Sequence, residues 1–139
     1  MKDAINVKWT GNMAFEAQIK EHRFIVDAKP DVGGNDLGPR PKSLLMVSLA
    51  GCTGMDVVSI LKKMKVEFDS FNVRVVATLA DEHPKSYTDM HLIYEFSGHD
   101  LPLEKIRHAI ELSQDKYCGV SNTLKKALNI SYEINIAEQ

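Results

Sequence analysis

The alternation of apolar and polar positions lays out short strands at the start of the chain. Ile5, Val7 and Trp9 alternate with polar neighbours, Thr10-Gly11-Asn12 carries turn chemistry, and Phe15, Ala17 and Ile19 alternate again. Lys20-Glu21 suits a tight reversal into Phe24, Val26 and Ala28. From Lys29 to Pro41 the run KPDVGGNDLGPRP holds three prolines and three glycines in thirteen residues, which neither a helix nor a ladder continues. A loop of this length in a compact domain is often one that covers or shapes a site.

The next segment, from Pro41 to about Lys65, reads as a long helix. Pro41 fits the first turn, where its missing N–H costs nothing. From Leu44 to Leu61 the sequence LLMVSLAGCTGMDVVSIL is apolar or small on nearly every side. Ser48, Thr53, Asp56, Ser59 and two glycines make it a poor membrane span. A helix apolar all round must be covered all round, and a small domain with a single sheet covers one face. A second subunit is the most economical second layer, and Ala50, Gly51 and Gly54 leave room for another backbone. Met46, Met55 and Met64 read as core filler.

Two longer strands follow. Phe71, Val73, Val75, Ala77 and Leu79 alternate with polar positions; after the turn signal DEHPKS, Met90, Leu92, Tyr94 and Phe96 do the same. Asp100 reads as the N-cap of a helix whose buried face is Leu103, Ile106 and Ile110, and which breaks at Cys118-Gly119. Ser121 then reads as the cap of a short helix, and Ile130, Tyr132, Ile134 and Ile136 as a closing strand. Strand runs with helices inserted between them predict an α+β fold with antiparallel sheets.

Composition narrows the function. The 139 residues fit one domain, and 44% hydrophobic residues supply an ordinary core. A formal charge of −2, with scattered Lys and Arg, gives nucleic-acid binding little support. The start, MKDAINVKWTG, has no apolar stretch of signal-peptide length, so the expectation is the cytoplasm, with no membrane partner. The two cysteines, Cys52 and Cys118, allow three readings: a structural disulfide, two unrelated buried thiols, or a redox pair. There is no CxxC or HExxH, and the five histidines show no ligand spacing with either cysteine, so neither a metal nor another cofactor is expected.

Both cysteines sit beside small residues, Cys52 after Gly51 and Cys118 before Gly119. The segment Gly38-Pro39-Arg40-Pro41 followed by LLMVSLAGCTGMDVV resembles the proline-then-helix-then-cysteine segment of the OsmC/Ohr family, the osmotically inducible and organic hydroperoxide resistance proteins. Lys116-Tyr117-Cys118-Gly119-Val120-Ser121-Asn122-Thr123-Leu124 resembles that family's second cysteine motif. The combination, together with the order of elements, is similar to a less characterised branch of the family.

The resemblance implies antiparallel sheets around two central helices in an intertwined homodimer. It also implies a thiol peroxidase, in which Cys52 attacks an organic hydroperoxide and becomes a sulfenic acid. Cys118 then condenses with it to a disulfide that an external dithiol reduces. The active members stabilise the attacking thiolate with an arginine from the early strands, held by a glutamate just after the helix-initiating proline. Here Lys42 and Ser43 stand at the glutamate's place, and no arginine occurs between Met1 and Gln18. Cys52 lies about 16 Å along the axis from Pro41, beyond reach of the helix dipole. Arg40 and Lys42 are candidate replacement charges, whereas Asp56, one turn after Cys52, raises the thiol pKa if it faces the sulfur. The alternative function is a non-enzymatic dimer that binds a small apolar or thiol-containing ligand at the subunit interface.

Overall fold

The structure, a computed structural model, describes residues 1–138. The chain divides into two compact units, Met1–Leu45 and the segment from Met46 onward. The first holds strands β1 (Asn6–Gly11), β2 (Ala14–Ile19) and β3 (His22–Val26), paired antiparallel in the order β1-β2-β3. The turns fall where the sequence places them, with Gly11, Asn12 and Lys20 at positive φ.

The breaker-rich loop is folded around a residue the pattern gives no hint of. Asp27, 2% exposed, accepts the backbone N–H groups of Ala28 (2.8 Å), Asn35 (3.1 Å) and Leu37 (3.1 Å). Burial alone raises a carboxyl pKa, but these three donors and the Arg40 guanidinium outweigh it and hold Asp27 below its ordinary value. Gly34 and Gly38 let the loop lie on the strand's end, for a Cβ would stand 1.9 Å from the Ala28 carbonyl oxygen and 2.0 Å from that of Ile25.

The rest of the chain is α1 (Leu44–Lys63), β4 (Ser70–Leu79), β5 (Tyr87–Gly98), α2 (Leu103–Leu112), α3 (Gly119–Leu124) and β6 (Asn129–Glu138), with a 3₁₀ turn at Pro41–Ser43 leading into α1 and a π turn at Ser113–Tyr117 after α2. The fold is α+β, as the pattern predicts. Every strand pair is antiparallel except β5–β6, which is parallel. The crossover through α2 and α3 brings β6 back in the direction of β5, a connection no hairpin allows. Leu49, Val57 and Leu61 of α1, Ile106, Ala109 and Ile110 of α2, and Met90, Leu92, Tyr94 and Phe96 of β5 form one buried cluster. Phe71 stacks on Phe96 with ring centroids 4.2 Å apart.

Several local expectations change. Asp100 does not cap α2: it lies at φ 50°, and Pro102 occupies the cap position without a side-chain bond. Leu103 is exposed, and Ala109 takes its place on the buried face. Met46 and Met64 pack on the core, but Met55 is 75% exposed. Within the chain α1 buries a single stripe, Leu49, Thr53, Val57 and Leu61, at the four-residue spacing of one helix face. Leu45, Val47, Met55 and Val58 stay exposed.

Candidate active site

The site is assembled from one face of α1, the middle of β5 and the irregular segment between α2 and α3. Cys52 and Asp56 lie one turn apart on α1, and both are half-buried. Cys118 follows the π turn. Its backbone is extended (φ −76°, ψ 102°), and its side chain is 3% exposed. The two sulfurs and a carboxylate oxygen of Asp56 all lie within 4.8 Å of one another. The structure therefore brings together the two cysteines of the sequence reading, and Asp56 faces them.

Cys118, not Ser121, is the N-cap of α3: its Sγ accepts the Ser121 backbone N–H at 3.3 Å. Ser121 lies inside the helix and is buried. Burial pushes the Cys118 thiol up to about 11; the Ser121 N–H opposes this, while neighbouring Cys52 and Asp56 add to it.

Behind the sulfurs runs a polar network that the sequence reading did not find. Thr53 Oγ1 is bonded to Tyr94 OH (2.7 Å) and to Ser113 Oγ (2.8 Å), and Ser113 Oγ donates to Asp56 Oδ2 (2.9 Å). Gln114 Nε2 donates to Tyr94 OH (2.9 Å) and Thr53 Oγ1 (3.1 Å), and its Oε1 accepts from Ser121 Oγ (2.6 Å). Each hydroxyl has one proton, which fixes the direction of the chain. Ser113 spends its proton on Asp56, so Thr53 donates to Ser113 and Tyr94 donates to Thr53. Tyr94 to Thr53 to Ser113 to Asp56 is thus a one-way series of donors ending on the carboxylate. Burial pushes Tyr94 up to about 12, against the bond that Gln114 donates to it, so the first donor keeps its proton at neutral pH. Among the described residues, no buried side-chain polar atom lacks a partner.

Of the two candidate loop charges, Arg40 is engaged within its own loop. It donates to Asp36 Oδ1 (2.7 Å) and to the Gly38 carbonyl (2.8 Å). On the outer side of the site, Asp56 shares a cleft of about 410 Å³ with Ser59, Ile60, Lys63, Leu112 and Tyr117. Gly51 and Gly54 line a second, mostly apolar cleft of about 510 Å³ with Met55, Val58, Phe71 and Val73.

The OsmC-like protein family pattern matches residues 33–133, a span that includes both cysteines and Asp56, and the chain belongs to this family. It is 31% identical to protein YhfA of Escherichia coli strain K12 over 131 residues, 92% of this chain and 95% of that one. Its fold matches that of an OsmC-like protein from Mycoplasma pneumoniae with TM-score 0.83 at 16% identity, covering 99% of this chain and 98% of the other. It also matches an organic hydroperoxide resistance protein from Elizabethkingia anophelis with TM-score 0.68 at 17% identity, covering 100% and 99%.

Proposed function

We propose that the protein is a thiol peroxidase that reduces organic hydroperoxides, with Cys52 as the attacking thiol, Cys118 as the resolving thiol and Asp56 as the group that moves the proton. The observation that carries this reading is the convergence of both sulfurs and the Asp56 carboxylate within 4.8 Å. The two thiols differ in access: Cys52 is half-exposed, while Cys118 is buried and held as a helix cap.

In the first step the sulfur of Cys52 attacks an oxygen of the O–O bond, and that bond breaks. Asp56 takes the thiol proton, directly or through one water, and returns it to the departing alkoxide, so that the products are an alcohol and Cys52 sulfenic acid. In the second step the sulfur of Cys118 displaces the hydroxyl from Cys52; the Cys118 proton leaves with it as water, and a disulfide forms. An external dithiol then reduces the disulfide by exchange. The donor series from Tyr94 holds Asp56 in place through Ser113. This proton route stands in for the arginine and glutamate of the active family members.

An organic substrate fits the lining of the Asp56 cleft, where Ile60 and Leu112 stand beside the carboxylate. The solved relative from Elizabethkingia anophelis is itself described as an organic hydroperoxide resistance protein. The working form is a homodimer: Val47 (62%), Met55 (75%) and Val58 (41%) leave the side of α1 away from its buried stripe apolar and exposed, for a second subunit to cover. Although Pro41–Lys63 is long and apolar enough to cross a membrane by length and composition, this reading has its exposed side covered by the partner subunit in a cytoplasmic protein. Replacing Cys52 with serine is expected to abolish consumption of cumene hydroperoxide by the reduced protein; undiminished consumption contradicts the mechanism.

A further inference from the structure

We propose that in the reduced protein Cys52, Cys118 and Asp56 form a binding site for a zinc-class divalent cation. Tetrahedral zinc with ligands at about 2.0–2.3 Å needs donor atoms roughly 3.5–3.8 Å apart. The three donors, all within 4.8 Å of one another, need to approach by no more than about 1.3 Å. Two thiolates and a carboxylate are a soft, anionic set, which selects zinc, and cobalt as its spectroscopic substitute, over magnesium or calcium.

Three further features fit this use. Two of the ligands are already oriented by outer hydrogen bonds, Asp56 by the Ser113 hydroxyl at 2.9 Å and Cys118 by the Ser121 N–H at 3.3 Å. Asp56 also lines a cleft of about 410 Å³, so the carboxylate ligand is reached from the surface. As metal ligands the three donors set three negative charges within 4.8 Å of one another, and a cation among them neutralises that repulsion. Spacing along the chain hides the site: two ligands are one helical turn apart, and the third comes from a different element.

The metal-bound and disulfide forms exclude each other, because coordination uses the two sulfurs that a disulfide would join. The bound ion therefore masks the thiols until it is withdrawn. Whether the ion binds is independent of the peroxidase reading, and the test contains no hydroperoxide.

Titrating the fully reduced, anaerobic protein with cobalt chloride is expected to give one ion per chain, with thiolate-to-cobalt absorption in the near ultraviolet and tetrahedral bands in the visible. One equivalent of zinc chloride should bleach both. Asp56→Asn is expected to weaken cobalt binding at least 10-fold, Ser113→Ala by about 10-fold or more, and Cys52→Ser to lower the near-ultraviolet band, while His91→Ala leaves the titration unchanged. A wild-type protein that shows no thiolate-to-cobalt band overturns the proposal. So does unchanged affinity in Asp56→Asn and Cys52→Ser. Cobalt binding in a wild-type protein that fails to consume hydroperoxide leaves the metal site standing and sinks the peroxidase reading alone.

Discussion

The Sγ of Cys118 accepts the backbone N–H of Ser121 at 3.3 Å, so one sulfur of the pair also begins helix α3. In the proposed mechanism this capping holds the resolving thiol in one rotamer until it moves to form a bond. Serine at this position can cap as well as cysteine, and alanine cannot. Cys118→Ala is therefore expected to lose about 1 kcal/mol of stability relative to Cys118→Ser, seen as a lower urea midpoint at unchanged slope. Equal midpoints contradict the capping role.

Asp56 is expected to matter for rate far more than for stability. Asparagine still offers an oxygen to the Ser113 hydroxyl but cannot take a proton. Asp56→Asn should slow hydroperoxide consumption by about 100-fold or more while shifting stability by less than about 1 kcal/mol. Stopped-flow peroxide consumption and urea unfolding on the same preparation check both halves. A rate within a few-fold of the parent removes Asp56 from the mechanism.

Tyr94 links the site to alkaline stability. Burial keeps its phenol protonated in the fold until about pH 12, whereas the unfolded chain releases that proton near pH 10.0. Between those values the native state holds one more proton than the unfolded state, so stability falls as pH rises through the interval, by about 2–3 kcal/mol in total. Below pH 10 this group contributes no slope. Tyr94→Phe, which leaves Thr53 still bonded to Gln114 and Ser113, is expected to flatten the loss in urea midpoints measured between pH 10 and pH 11.5.

The exposed stripe of α1 makes the oligomeric state testable. Val47 is 62% exposed, and a charge there disturbs nothing inside the chain. Val47→Asp is expected to lower the mass seen by light scattering from two chains to one without loss of helical circular dichroism. A parent protein of single-chain mass contradicts the dimer.

Much of this was legible in the order of the residues. Alternation at Val73–Leu79 and Ile130–Ile136, and the unbroken apolarity of Leu44–Leu61, set the strands and the long helix, and the two cysteine motifs pointed at the sulfurs. The direction of β6 was not legible, because alternation is the same whichever way a strand runs. Asp100 looked like a cap because a cap signature names a residue type and not a φ of 50°. Thr53, Tyr94, Ser113 and Gln114 were hidden for a different reason. They come from three elements, and a lone hydroxyl or amide on an apolar helix or strand has no periodicity to betray it. The one sequence-level signal was Asp56, a carboxylate in an apolar helix that had to be partnered.

The most direct measurement of the central claim is the intact mass of the fully reduced protein after one equivalent of cumene hydroperoxide. An intramolecular disulfide between Cys52 and Cys118 removes two hydrogens, so the account predicts a loss of about 2 Da, with the peptides carrying the two cysteines linked. An unchanged mass, or a gain of one or more oxygens with both cysteines unlinked, contradicts it.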